Sequence, residues 1–193
     1  GAPYKGESKF FQAYATAIDP FPDVRIAHIA IDRAHTTASD IASYFPLTAI
    51  MKLAEAGYIG SVSPRFYGLP TNRSQRTTRD IDCPALLAYC QEDMVDAVVM
   101  VPNCPVCHQS VAIAAHCLES AGIATVIMGC ARDITEYVGV PRLLFSDLPL
   151  GNAAGLPHDP DSQNLVTQLA LVLLAEASVP RTTRQSPLIW SGA

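Results

Sequence analysis

The sequence predicts an α/β domain, a three-layer doubly wound sheet of about five mainly parallel strands. Three observations predict it. Short runs rich in Val and Ile alternate with longer segments whose apolar residues recur at helical spacing. The runs are apolar throughout instead of alternating, as strands buried on both faces are. Polar segments follow the runs, so right-handed crossovers would gather them at one edge of the sheet, where such folds bind ligands. Rossmann-like and flavodoxin-like domains share this pattern.

In chain order, residues 1–23 show a short apolar helical pattern ending in two prolines and read as an appendage. VRIAHIAI (24–31) is β-branched and predicts a strand, followed by a polar segment, 32–40, carrying helix-capping residues. FPLTAIMKLAEAG (45–57) predicts a helix, with Pro46 early and Gly57 at its close. Residues 58–68 predict a strand weakened by Pro64, and 69–80 a polar, basic, mobile loop. Pro84 starts a helix over 83–93, and VDAVVMVP (95–102) is the clearest strand. A helix over 106–122 stops at Gly122; a strand over 123–129, a short helix over 134–139 and a strand over 141–147 follow. A loop containing GNAAG (151–155) leads into a long apolar helix over 162–177. That loop lacks both nucleotide fingerprints and predicts no phosphate cradle. Residues 178–193 read as a tail, so the whole chain, 1–193, is expected to be one domain.

The 193 residues suffice for a sizeable core, and 49% apolar against 16% charged residues exclude a disordered chain. A net charge of −5 argues against nucleic acid or an anionic membrane as partner. No apolar run approaches the roughly 20 residues of a membrane span. Cys83, Cys90, Cys104, Cys107, Cys117 and Cys130 are spread through core-forming segments, the usage of a reducing compartment, so a cytoplasmic location is expected.

The chemistry concentrates in VPNCPVCHQS (101–110). Cys104 would occupy the turn leaving the central strand and Cys107 the first turn of the next helix. A thiolate there is stabilised by the helix dipole and by unsatisfied backbone N–H groups. Three-residue spacing lets the second thiol close a disulfide with the first or resolve its adduct. His108 could act as an acid beside them. CPVCH also matches the haem-attachment pattern, but that reading requires an exported chain and a haem-sized pocket, not a strand–helix turn. Zinc would need Cys104, Cys107 and Cys130, with His108 a further ligand; no second CxxC supports a closed site. The plain alternative is a pair of packing thiols. Around the motif, Asn103, His35, Cys130, Arg132 and Asp147 all follow strands and are candidate substrate-binding residues. Arg132 suits a carboxylate; each of these has a structural reading too, as a loop, strand-end or solvated side chain.

DAVVMVPNCPVCHQSVAIAAHCLESAGIATVIMG followed by VGVPRLLFSDLPLGNAAG resembles the selenoprotein B subunits of the glycine, sarcosine and betaine reductases and the related D-proline reductase subunit. The resemblance is clearest over 94–155. It implies that Cys104 stands where the family has a nucleophilic selenocysteine and that Cys107 is its partner. It implies reductive cleavage of a C–N or other carbon–heteroatom bond in a small amino-acid-like substrate, with an external dithiol as reductant. Sulfur in place of selenium makes a weaker nucleophile, and the pyruvoyl group such reductases use comes from a separate subunit. No cofactor is therefore expected in this chain, a metal being the alternative. The expected partners are a small substrate and a reductase protein or further copies of the chain. A metal-binding or sensor module and a non-catalytic subunit of a reductase complex are the rival readings.

Overall fold

The computed structural model describes residues 12–26 and 30–191. Its main sheet has four parallel strands in the order β3 (Ala97–Met100), β4 (Ala124–Gly129), β5 (Arg142–Asp147) and β6 (Thr182–Ile189). A separate antiparallel pair joins β1 (Tyr14–Ala17) to β2 (Arg65–Gly68). The helices are α1 (Leu47–Glu55), the single turn α2 (Gln75–Thr77), α3 (Cys83–Glu92), α4 (Pro105–Ser120), α5 (Arg132–Val138) and α6 (Pro160–Glu176). A 3-10 turn, Ile41–Ser43, is capped by Asp40, and a π-helical segment, Thr78–Asp82, joins α2 to α3.

Both faces of the sheet are covered, because successive residues of β4 point opposite ways. Ile127 packs with Leu143, Leu118 and Leu86 under α3 and α4. Val126 and Met128 pack with Leu144, Val166, Ala170 and Leu173 of α6. All of these side chains are essentially excluded from water, and each full burial contributes roughly 1.5–3 kcal/mol. The three-layer α/β fold predicted from the apolar runs is the fold observed.

Its strands are not all the predicted ones. The described residues of 24–31 form no strand, and 27–29 lie outside the described residues. The sheet's outer place, beside β5, goes to the supposed tail: Thr182–Ile189 pairs with Arg142–Asp147. TTRQSPLI hides its strand character because an edge strand tolerates polar residues and a proline. The tail is thus part of the domain's sheet. At the other terminus the described part of the appendage holds β1, paired to β2, and no helix; residues 1–11 lie outside the described residues. The predicted strand over 58–68 survives only as β2, outside the main sheet.

From β3 to β4 the chain crosses by α4 on one face; from β5 to β6 it crosses by α6 on the other, stepping the same way. The two crossovers therefore have opposite hands, and the right-handed rule holds for at most one of them. The connections leaving β4 and β5 diverge to opposite faces.

Candidate active site at the start of α4

Cys104 and Cys107 are joined by a disulfide, with Cα atoms 5.0 Å apart. Pro105 presets the first turn of α4, and Cys104 is its N-cap in extended conformation. The Cys104 Sγ accepts the backbone N–H of Cys107 at 3.1 Å, the capping bond a Ser or Asp would otherwise make. Cys104 is fully buried, whereas Cys107 is partly exposed. The Thr71 hydroxyl lies 3.4 Å from Cys107 Sγ. Thr71 belongs to the basic segment expected to be a mobile loop. Its neighbour Asn72 donates to the buried carboxylate of Asp82 at 2.5 Å. Only the fold reveals this: nothing in LPTNRS signals contact with a cysteine 36 residues away.

His108 is not placed as a proton donor to the sulfurs. Its Nδ1–H donates to the Cys104 carbonyl at 2.8 Å, and its Nε2 accepts the N–H groups of Cys130 at 3.0 Å and Ala131 at 3.2 Å. Those partners dictate the neutral Nδ1–H tautomer. Burial holds its pKa below the ordinary 6.5, opposed by the Cys104 carbonyl. The ring ties the start of α4 to the turn after β4. Gly129 makes room for it, since a Cβ there would lie 3.2 Å from His108 Cδ2.

Cys130 is free and partly buried; burial pushes its thiol up to about 12, against a hydrogen bond from the Leu148 backbone. It is a structural neighbour, joined to the motif through His108. Among the described residues no group of three His, Cys, Asp or Glu side chains is placed to hold a metal. The alternative set Cys104, Cys107 and Cys130 is not assembled, because two of its sulfurs are bonded to each other.

The remaining candidates divide. Asn103 adjoins Cys104, and its Oδ1 is buried with no hydrogen-bond partner. Asp147 is exposed at the end of β5 and raises the pKa of Cys130. His35 reaches the same edge indirectly: it bonds Asp32 at 2.9 Å, and the Asp32 N–H donates to the Leu150 carbonyl. Thr36 bonds buried Asn152, and Asp40 accepts from the His158 N–H and from Gln163. Segment 32–40 is thereby pinned to the loop after β5. Arg132, expected to clamp a carboxylate, donates from Nε along its own helix to Glu136 at 2.8 Å. Arg65 forms a bidentate pair with Asp93. Asp93 closes α3 just before β3 begins, at the opposite edge of the sheet. Beside the motif, an open groove of about 490 Å³ runs between α4 and α5, lined by Pro105, Val106, Gln109, Asp133, Ile134 and Tyr137.

The chain is 27% identical, over 167 residues, to the D-proline reductase subunit gamma of Acetoanaerobium sticklandii, covering 86% of this chain and 68% of that protein. The similarity read from residues 94–155 therefore extends over most of the chain. No family model matches the chain, and no solved structure matches it. No helix among the described residues is long and apolar enough to cross a membrane.

Proposed function

We propose that this chain is a subunit of a thiol-dependent reductase that cleaves a C–N or other carbon–heteroatom bond in a small amino-acid-like substrate. The observation that carries the reading is the Cys104–Cys107 disulfide at the N-terminus of α4. Similarity to a protein described as a reductase subunit supports it and supports a protein partner.

In this reading Cys104 is the nucleophile. Its thiolate attacks the substrate carbon, a C–S bond forms, and the C–N bond breaks with the electron pair leaving on nitrogen, which takes up a proton. Cys107 thiolate then attacks Cys104 Sγ. The S–S bond forms, the C–S bond breaks, and the carbon keeps the electron pair and is protonated. Substrate gains two electrons and the cysteine pair loses them. The disulfide is the product of this cycle, and an external dithiol returns it to the starting state. His108 has both nitrogens committed to backbone groups, so protons come from His35 or solvent. In this reading Asn103, with its unpartnered buried oxygen, and Asp147, exposed at the end of β5, are the residues that contact the substrate.

The test is amine release from D-proline and other amino acid derivatives by the chain with its partner subunits and dithiothreitol. Cys104→Ser is expected to abolish turnover, a loss of at least ~1000-fold for a missing nucleophile. A Cys104→Ser protein with full turnover ends the reading.

A further inference from the structure

We propose that reduction of the disulfide enters at Cys107: the reductant's thiolate attacks Cys107 Sγ, and Cys104 departs as the leaving thiolate. This rests on the reading above, in which the disulfide must be re-reduced in every cycle. The sulfur attacked first is then opposite to the one that meets the substrate.

Access is the first reason. Thiol–disulfide exchange needs the attacking sulfur in line with the S–S bond, on the far side of the sulfur attacked. For Cys104 that side is protein interior, since the residue has no exposed surface. Cys107 is partly exposed, and the hydroxyl of exposed Thr71 lies 3.4 Å from its Sγ.

The leaving group is the second reason. The sulfur that better stabilises negative charge leaves faster. Cys104 Sγ already accepts the Cys107 N–H and caps a 16-residue helix, so departing charge falls on a prepared site. Cys107 lies inside the first turn.

The electrons balance with a dithiol. Its first thiolate bonds to Cys107 as the Cys104–Cys107 bond breaks, and Cys104 leaves with the electron pair. The second thiolate attacks the reductant's own first sulfur, closing the reductant's disulfide, and Cys107 leaves as a thiolate. The reductant loses two electrons and the protein disulfide gains them. The chain is left with Cys104 as the stabilised thiolate required for substrate attack.

The oxidised full chain is treated with glutathione, acid-quenched and alkylated, and fragment-ion mass spectrometry locates the adduct. Glutathione on Cys107 with alkylated Cys104 is expected. Glutathione on Cys104, or equally on both, overturns the proposal. A second measurement is the rate of disulfide reduction by dithiothreitol in Thr71→Trp, which covers Cys107 from an exposed position. A fall of at least ~10-fold is expected, and an unchanged rate overturns the proposal even if no adduct accumulates. Neither readout requires substrate. If they succeed while Cys104→Ser keeps full turnover, the substrate reading has failed and the order of exchange stands.

Discussion

His108 Nε2 accepts the backbone N–H of Cys130 at 3.0 Å while its Nδ1–H donates to the Cys104 carbonyl. One neutral ring thus joins the CxxC turn of α4 to the turn after β4. His108→Gln should orphan buried backbone groups, at about 1–3 kcal/mol for each left unpaired. The urea midpoint at pH 7.5 is expected to fall accordingly.

The same ring makes stability depend on pH. Its folded pKa lies below the ordinary 6.5, so the unfolded chain binds the proton first as pH falls. The ring's contribution is full above that value and declines as pH drops through 6.5 toward the lower folded pKa. Urea midpoints from pH 8 to pH 5 should show this loss in the wild type and a shallower one in His108→Gln. Carboxylates held low by their partners, such as Asp93 and Glu136, act only at lower pH.

Gly129→Ala is a separate check on the ring. The added Cβ would meet His108 at 3.2 Å and Leu143 Cδ1 at 3.3 Å, so one of them must shift. A loss of roughly 1–3 kcal/mol is expected for overpacking of this kind, measured by urea unfolding. Stability equal to wild type would show that the ring is not held tightly.

Thiol labelling should separate the cysteines. Burial raises the Cys83 and Cys130 thiols to about 12 and Cys90 to about 11, which leaves few thiolates at pH 8. Brief iodoacetamide treatment of the reduced chain at that pH should modify partly exposed Cys107 and spare these three. Cys130→Ala should accordingly keep turnover, and its loss would place Cys130 in the chemistry.

Asp82 is buried with Oδ1 unpartnered, and burial raises its pKa while the Asn72 bond opposes the rise. A folded pKa above the ordinary 3.8 means stability is lost as pH climbs through the folded value, as the carboxyl ionises in place. Asp82→Asn should remove that loss, raising the urea midpoint more at pH 8 than at pH 4. The reverse pattern would mean that the carboxylate is stabilised by charge.

The amino acid sequence by itself determined the layered α/β fold and the placement of the CxxC pair at the start of a helix. Apolar runs such as ATVIMG need cover on both faces, and Pro105 and Gly122 mark the limits of α4 wherever the rest of the chain lies. Only tertiary structure decided which segments complete the sheet and what each polar side chain does. TTRQSPLI becomes a strand because β5 offers an open edge, a fact of assembly with no local signature. His108 sounded like a proton donor beside two thiols, yet folding places two backbone donors at its Nε2 and turns it into a brace. Arg132 and Arg65 find carboxylates outside the site, and Thr71 finds Cys107. Residue type sets which bonds a side chain can make, but the partner within 3 Å comes from long-range packing, and that partner decides between structure and chemistry.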